Sequence, residues 1–151
     1  MNELLTVLHD SALATWVRES SSLWAYPMII TMHTFGLAVL VGASAAVDLR
    51  VLGVARQIPL TSLRGFFPVM WAGFWLNAVT GVMLFAADPR TTGIFVIKLI
   101  AVAAGVLLVV LIRRAVVGRG TTTTPAAKTY AVLSLTTWIV ATTTGRLMAY
   151  L

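Results

Sequence analysis

The 151-residue chain contains no cysteine, and only 11% of its residues are charged. The absence of thiols excludes disulfides, iron–sulfur clusters and covalently attached c-type haem, each of which requires cysteine. A soluble domain usually has about 25% charged residues, so this sequence lacks the polar surface that a globule needs in water. Hydrophobic residues make up 59% of the chain and the mean hydropathy is +0.93, which indicates that lipid surrounds most of it.

Acidic residues are also few: five Asp and Glu stand against eleven Lys and Arg, for a net charge of +6. The basic residues fall mainly in short segments between apolar runs, a pattern typical of membrane orientation rather than of nucleic-acid binding. The segments after the first and third apolar runs contain Arg50, Arg56, Arg64, Arg113, Arg114, Arg119 and Lys128. The opposite side contains Arg18, Arg90, Lys98 and Arg146. The positive-inside rule therefore predicts a multi-pass protein of the bacterial inner membrane with both termini in the periplasm.

Four apolar segments are long enough to cross a bilayer, which takes roughly 20 residues. They cover residues 23–47, 65–87, 92–112 and 129–151. Their apolar runs are unbroken rather than alternating, which argues against strands. The sequence thus predicts an all-α membrane protein, a four-transmembrane-helix bundle that forms a single domain over residues 1–151.

The first 20 residues are predicted to form an amphipathic helix on the outer leaflet of the membrane. The predicted apolar face consists of Leu4, Leu5, Leu8, Ala12 and Trp16. The alternative is a partly ordered tail.

Polar residues in all four predicted spans fall in the outer half of the membrane. His33 lies about ten residues into the first span, and Asn77 and Thr80 lie in the second. Lys98 and Arg146 lie near the outer ends of the third and fourth spans. These residues are predicted to share one layer.

Each of these residues has a structural alternative. Lys98 and Arg146 could extend to the headgroups, and Asn77 and Thr80 could join helices by hydrogen bonds. His33 could also bond a neighbouring helix, but an ionisable residue inside a membrane is by default a candidate functional residue. Asp48, near the inner end of the first span, is predicted to form an ion pair or to anchor a loop.

The layer is best suited to haem b. His33 would be an axial ligand of the iron, and Lys98 and Arg146 would pair with the propionates. Gly36, one turn from His33, leaves a gap for a flat ligand or for another backbone, and Leu37 lies beside it.

The second axial position could belong to His9, to Met83, to water or to the His33 of a second protomer, so a homo-oligomer is a further expectation. The predicted function is therefore electron transfer or a haem-linked redox reaction, as a component of a membrane oxidoreductase. Two alternatives remain: a cofactor-free structural or assembly subunit, and a copper-handling protein that uses His33 and methionines.

The segments "YPMIITMHTFGLAVLVG", "FFPVMWAGFWLNAVTGVMLFAADP", "FVIKL" and "GRLMAY" resemble a family of small bacterial four-helix membrane proteins that has no established activity. The chain is more distantly similar to haem-containing integral-membrane protoporphyrinogen oxidases and to CopD-type copper-resistance membrane proteins. The matching positions are His33, Pro68, Trp71, Gly73, Lys98 and Leu99. The resemblance to the oxidases implies that His33 and Lys98 take part in binding haem or a porphyrin.

Overall fold

The structure is a computed structural model that describes residues 3–89, 93–118 and 124–150. Every regular element in these ranges is helical, which confirms the predicted all-helical class for the described residues. The α-helices are α1 (Glu3–His9), α2 (Ala12–Glu19), α3 (Tyr26–Leu52), α4 (Phe66–Ala87), α5 (Gly93–Gly118) and α6 (Pro125–Leu147). Two short 3-10 helices cover Leu60–Gly65 and Met148–Tyr150.

Three helical segments of the described chain are long and apolar enough to cross a membrane. They are Tyr26–Leu52, Leu60–Ala87 and Gly93–Ala115. Helix α6 has 23 residues, which is sufficient length, but it is rich in Thr and contains Lys128 and Arg146. It is not among the three. The structure therefore supports a membrane protein with three candidate spans.

The helix ends follow from local sequence. Pro125 occupies the first turn of α6, where its missing N–H costs little, and the Thr124 hydroxyl caps that helix by accepting a bond from the N–H of Ala127 at 3.2 Å. Helix α3 ends at Leu52 and is followed by Gly53, whose φ of +107° favours glycine. The N–H groups of Gly53 and Val54 donate to the carbonyls of Arg50 and Leu49 at 3.1 and 2.9 Å, so two carbonyls of the last turn of α3 are satisfied.

The chain forms two compact units, and α3 and α4 each contribute residues to both. Unit 1 consists of Met1–Leu40 and Trp71–Arg90. Unit 2 consists of Val41–Met70 and Thr91–Leu151.

The amino-terminal part of unit 1 differs from the single helix predicted over residues 1–20. The structure has two helices there, because Ser11 starts a new helix by accepting a bond from the N–H of Ala14 at 3.3 Å. Ala12 and Trp16, which are predicted to belong to the face turned towards lipid, are exposed on the protein surface, and their contact with lipid stays a prediction.

The face of α2 that is buried against protein consists of Ala14 and Val17. Val17 packs with Ile29 and Ala87 in an apolar cluster, so contacts with protein decide which side of α2 is buried. The side chains of Leu4, Leu5 and Leu8, which were predicted to share the apolar face, lie outside the described part of the structure.

In unit 2, helix α5 packs along α6. The buried positions of α6 recur at steps of four and three residues, which places them on one face of the helix: Ala127, Ala131, Ser134, Trp138 and Ala141. The Trp138 indole lies against Gly105 of α5, where a Cβ atom would be 2.8 Å from Cζ2. Gly105 therefore makes room for the largest side chain of this face.

Some residues used in the sequence-based predictions lie outside the described ranges. They are Arg90 and Arg119, counted for the orientation, and Thr92 and Leu151, at the ends of predicted spans.

Candidate functional site

The imidazole of His33 connects α3 to α4 within unit 1. Its Nδ1 is 3.0 Å from the backbone carbonyl oxygen of Asn77 and 3.2 Å from Oγ1 of Thr80. The Thr80 hydroxyl donates its hydrogen to the carbonyl of Leu76 at 2.6 Å, so it accepts from His33. Nδ2 of Asn77 is a further neighbour of Nδ1, at 3.3 Å. The Asn77 carbonyl is the nearest of the three neighbours, which favours the tautomer of the neutral imidazole with its proton on Nδ1 and its lone pair on Nε2.

Asn77 completes the connection in the opposite direction. Its side-chain Nδ2 donates to the backbone carbonyl of His33 at 2.8 Å and lies 3.4 Å from Nε2 of the ring. Asn77 and Thr80 are both buried, and burial of polar groups is tolerated when they are hydrogen-bonded. The structure thus brings together His33, Asn77 and Thr80, three of the residues that the sequence predicts to share a layer.

Glycines allow the two helices to approach at this site. A Cβ atom on Gly36 would lie 2.8 Å from the backbone N of Asn77, and one on Gly73 would lie 2.8 Å from the carbonyl oxygen of Gly36. A Cβ atom on Gly81 would lie 3.1 Å from Cε1 of His33. Of the two occupants predicted for the gap at Gly36, the structure has a neighbouring backbone, and the half-buried Leu37 follows it on α3.

The two protein side chains predicted as a second iron ligand have other partners in unit 1. Nδ1 of His9 is 3.2 Å from Oδ1 of Asp10, and Nε2 of His9 is 3.0 Å from Nη1 of Arg18. Met83 packs against the cluster of Val17, Ile29 and Ala87. In this structure His9 therefore has hydrogen-bonding partners, and Met83 has an apolar packing role, within unit 1.

Lys98 and Arg146 belong to unit 2. Lys98 is half-buried, and its side chain lies beside Gly145, where a Cβ atom would be 3.5 Å from Cε and 3.7 Å from Nζ. Arg146 is exposed in the last turn of α6. Positive charge is favourable at the carboxyl end of a helix, so both cations are compatible with the end of α6 as well as with an anionic ligand.

A second polar cluster in unit 2 was missed by the sequence-based reasoning. Asp48 is 1% exposed, Ser44 and Ser134 are also buried, and the indole N–H of Trp138 donates to the Ser44 hydroxyl at 3.0 Å. The predicted ion pair of Asp48 is wrong for the described residues, because none of their basic groups pairs with it. The available signal was Ser44 at i−4 from Asp48, which places both side chains on one helix face.

No group of three or more His, Asp and Glu side chains that could hold a metal ion occurs in the described part of the chain.

No protein-family model, curated protein or solved structure matches this chain.

Proposed function

We propose that this chain is an integral membrane protein that binds haem b through Nε2 of His33 and serves electron transfer or a haem-linked redox reaction. The observation that supports the proposal is the hydrogen bond from Nδ1 of His33 to the Asn77 carbonyl. A metal-ligating histidine typically donates its other ring N–H to a carbonyl or carboxylate, which fixes the tautomer and the ring orientation. Haem supplies one-electron chemistry when it is bound.

The residues around His33 are compatible with such a ligand and also limit how a porphyrin could approach. Thr80 gives Nδ1 a second acceptor, and Gly81 leaves space beside Cε1. The backbone of α4 fills the position at Gly36, so a macrocycle would have to reach the imidazole from a different side. The second axial ligand stays open among His9, Met83, water and the His33 of a second protomer, and the last of these would make the protein a homo-oligomer.

The roles of Lys98 and Arg146 as partners of the propionates remain proposals that rest on their predicted depth in the membrane. The half-buried position of Lys98 agrees with a cation that meets an anion away from bulk water. Exchange of either residue for Gln should lower haem retention without removing the iron ligand.

The membrane arrangement proposed here has four spans, with α6 as the fourth. Both termini lie in the periplasm of a bacterial cell, and α1 and α2 lie at the outer leaflet. The 23-residue length of α6 and the Lys and Arg residues after α3 and α5 support this proposal. Membership in the small four-helix family, and the likeness to the oxidases and to CopD-type proteins, stay predictions from the sequence.

A cofactor-free structural or assembly subunit is the second candidate, and the contact between Gly36 and Gly73 favours it. Small residues that let backbones approach, together with an Asn side chain bonded across helices, are common means of helix association in lipid. In this alternative His33 stabilises the pair formed by α3 and α4 and binds nothing further.

Visible absorption spectra separate the two candidates. The protein should be purified gently from haem-replete cells and measured oxidised and dithionite-reduced, beside His33→Ala and the control His9→Ala. The haem proposal predicts a Soret band with sharp reduced α and β bands in the wild type and in His9→Ala, and their loss in His33→Ala. A colourless wild type, with no bound metal, would leave the structural candidate.

A further inference from the structure

The chain has a single buried acidic residue among its described residues. The five acids are Glu3, Asp10, Glu19, Asp48 and Asp88. Four are exposed, whereas Asp48 is 1% exposed near the carboxyl end of α3. An acid that is enclosed by protein must be either neutral or compensated by a partner of opposite charge.

Within the described residues, the surroundings of Asp48 provide hydroxyl groups but no cation. Oδ2 is 3.4 Å from the Ser44 hydroxyl, and Ser44 is in turn 3.4 Å from the Ser134 hydroxyl. Oδ1 is buried and has no hydrogen-bond partner. An unpartnered oxygen in a buried carboxylate carries part of an uncompensated charge, which is costly, whereas in a neutral carboxyl group it is a carbonyl oxygen.

The other titratable and charged groups that the structure describes in unit 2 do not compensate an anion at this position. The Arg50 guanidinium donates to the carbonyls of Ile58 and Arg56 at 2.6 and 3.0 Å, and Arg113 lies over the Phe67 ring. Lys98 lies beside Gly145. The remaining described groups of this kind are the exposed Arg56, Arg64, Arg114, Lys128, Arg146 and Tyr150 and the half-buried Tyr130. No ion pair joins Asp48 to any described residue.

A neutral carboxyl group accounts for the hydrogen bonds of the cluster. The Asp48 carboxyl would donate through Oδ2 to the Ser44 oxygen, which has two lone pairs and accepts the Trp138 indole N–H with the other. Ser44 then donates its own hydrogen to Ser134. Only the carbonyl oxygen Oδ1 is left without a donor, and an unsatisfied carbonyl oxygen is tolerated better than an unsatisfied charge.

Loss of the proton leaves an anion that the neighbouring hydroxyl groups must stabilise. When the O–H bond of Asp48 breaks, the proton passes to a base in the solvent, either hydroxide or buffer. The Ser44 hydroxyl then rotates from Ser134 to Oδ2 and donates to the new anion. We propose that Asp48, Ser44 and Ser134 form an intramembrane proton-binding site, at which Asp48 takes up and releases a proton reversibly.

A proton suits this cluster better than a metal cation does. Oxygen-liganded metal ions such as Ca²⁺ take about six to eight oxygen ligands, whereas the cluster offers one carboxyl group and two hydroxyls. One lone pair of Ser44 is already used by Trp138. A proton needs one oxygen only.

Infrared spectroscopy of the protein in lipid vesicles tests the proposal. We expect a carbonyl-stretch band of a protonated carboxyl group at neutral pH, which disappears when the pH is raised and returns when it is lowered. Incorporation of aspartate labelled with ¹³C at the carboxyl should shift the band in the unmodified protein. This part of the test does not depend on whether any variant folds. The band should be absent in Asp48→Asn, unchanged in the exposed control Asp10→Asn and shifted in frequency in Ser44→Ala.

Three results would overturn the proposal. The first is the absence, at neutral pH, of any infrared band from a protonated aspartic acid. The second is a band that persists at every pH at which the protein stays folded, since Asp48 would then be a permanently neutral structural group. The third is a band that disappears when Na⁺ replaces choline at constant pH, which would assign the site to a metal cation. None of these results bears on haem binding at His33.

Discussion

His33 has two ring nitrogens in different surroundings. Nδ1 faces two acceptors, the Asn77 carbonyl and the Thr80 hydroxyl, whereas Nε2 has the lone pair of the neutral ring. Nε2 lies 3.4 Å from Nδ2 of Asn77, so both ring nitrogens contribute to the contact between α3 and α4. The haem proposal assigns Nε2 to the iron.

Thr80→Val tests the acceptor role of the Thr80 hydroxyl. The change removes one acceptor from Nδ1 while the Asn77 carbonyl remains, so we expect a loss of about 0.5–1.5 kcal/mol in unfolding free energy. Denaturation in mild detergent measures it. Thr31→Val is the matched control, because Thr31 is exposed and bonds only its own helix at Pro27. Equal effects of the two changes would mean that the hydroxyl of Thr80 does not support His33.

Trp138→Phe tests the hydrogen bond from the Trp138 indole to Ser44 in the polar cluster of unit 2. Phenylalanine fills much of the buried space but cannot donate to Ser44, so the unfolding free energy should fall by about 1–3 kcal/mol from the lost bond and the changed packing. The control is Trp75→Phe, at a residue that is 62% exposed, and it should be close to neutral. A neutral Trp138→Phe would show that the indole N–H contributes little.

At the scale of helices, the contact between α3 and α4 in unit 1 depends on backbone approach. Gly73 faces the backbone atoms Gly36 O and Leu40 N, which cannot move aside as a flexible side chain can. We expect Gly73→Ala to cost about 1–3 kcal/mol through overpacking.

The control for this change is Gly42→Ala on α3, where a Cβ atom meets nothing within 4 Å. Alanine is favoured over glycine in a helix by roughly 1 kcal/mol, so this variant should be neutral or more stable. Thermal unfolding of both variants measures the difference, and a stable Gly73→Ala would contradict the close contact.

Helix positions could largely be predicted from the sequence, because long apolar runs are local signals. The break between α1 and α2 could not, since it depends on a single capping serine within a helix-compatible pattern. The burial of Asp48 could not be predicted either. Nothing near it in sequence shows that Ser134 and Trp138, on α6, face it, and the nearby Arg50 suggested an ion pair instead.

The partners of His33 were partly predictable. Depth in the predicted spans placed Asn77 and Thr80 at its level, but the acceptor turned out to be the backbone carbonyl of Asn77. Any residue at position 77 supplies a carbonyl, so the side-chain sequence holds no signal for that bond.

At the scale of the whole molecule, the number of spans determines which groups share a side of the membrane. The chain lacks cysteine, so single cysteines report accessibility without background labelling. We propose five exposed positions: Ser21→Cys, Gln57→Cys, Asp88→Cys, Lys128→Cys and Tyr150→Cys.

With four spans, a membrane-impermeant maleimide added outside spheroplasts should label positions 21, 88 and 150. Positions 57 and 128 should react only after permeabilisation. If position 150 also reacted only after permeabilisation, as positions 57 and 128 do, α6 would not cross the membrane.

The most direct test of the central claim is detection of a bond between iron and His33. The chain has two histidines, so the His9→Ala variant grown with ¹⁵N-histidine contains one labelled imidazole. Pulsed electron paramagnetic resonance of its oxidised haem should show coupling to ¹⁵N, and the account predicts that coupling. A haem signal without ¹⁵N coupling, or no haem at all in protein from haem-replete cells, would contradict the assignment of His33 as the axial ligand.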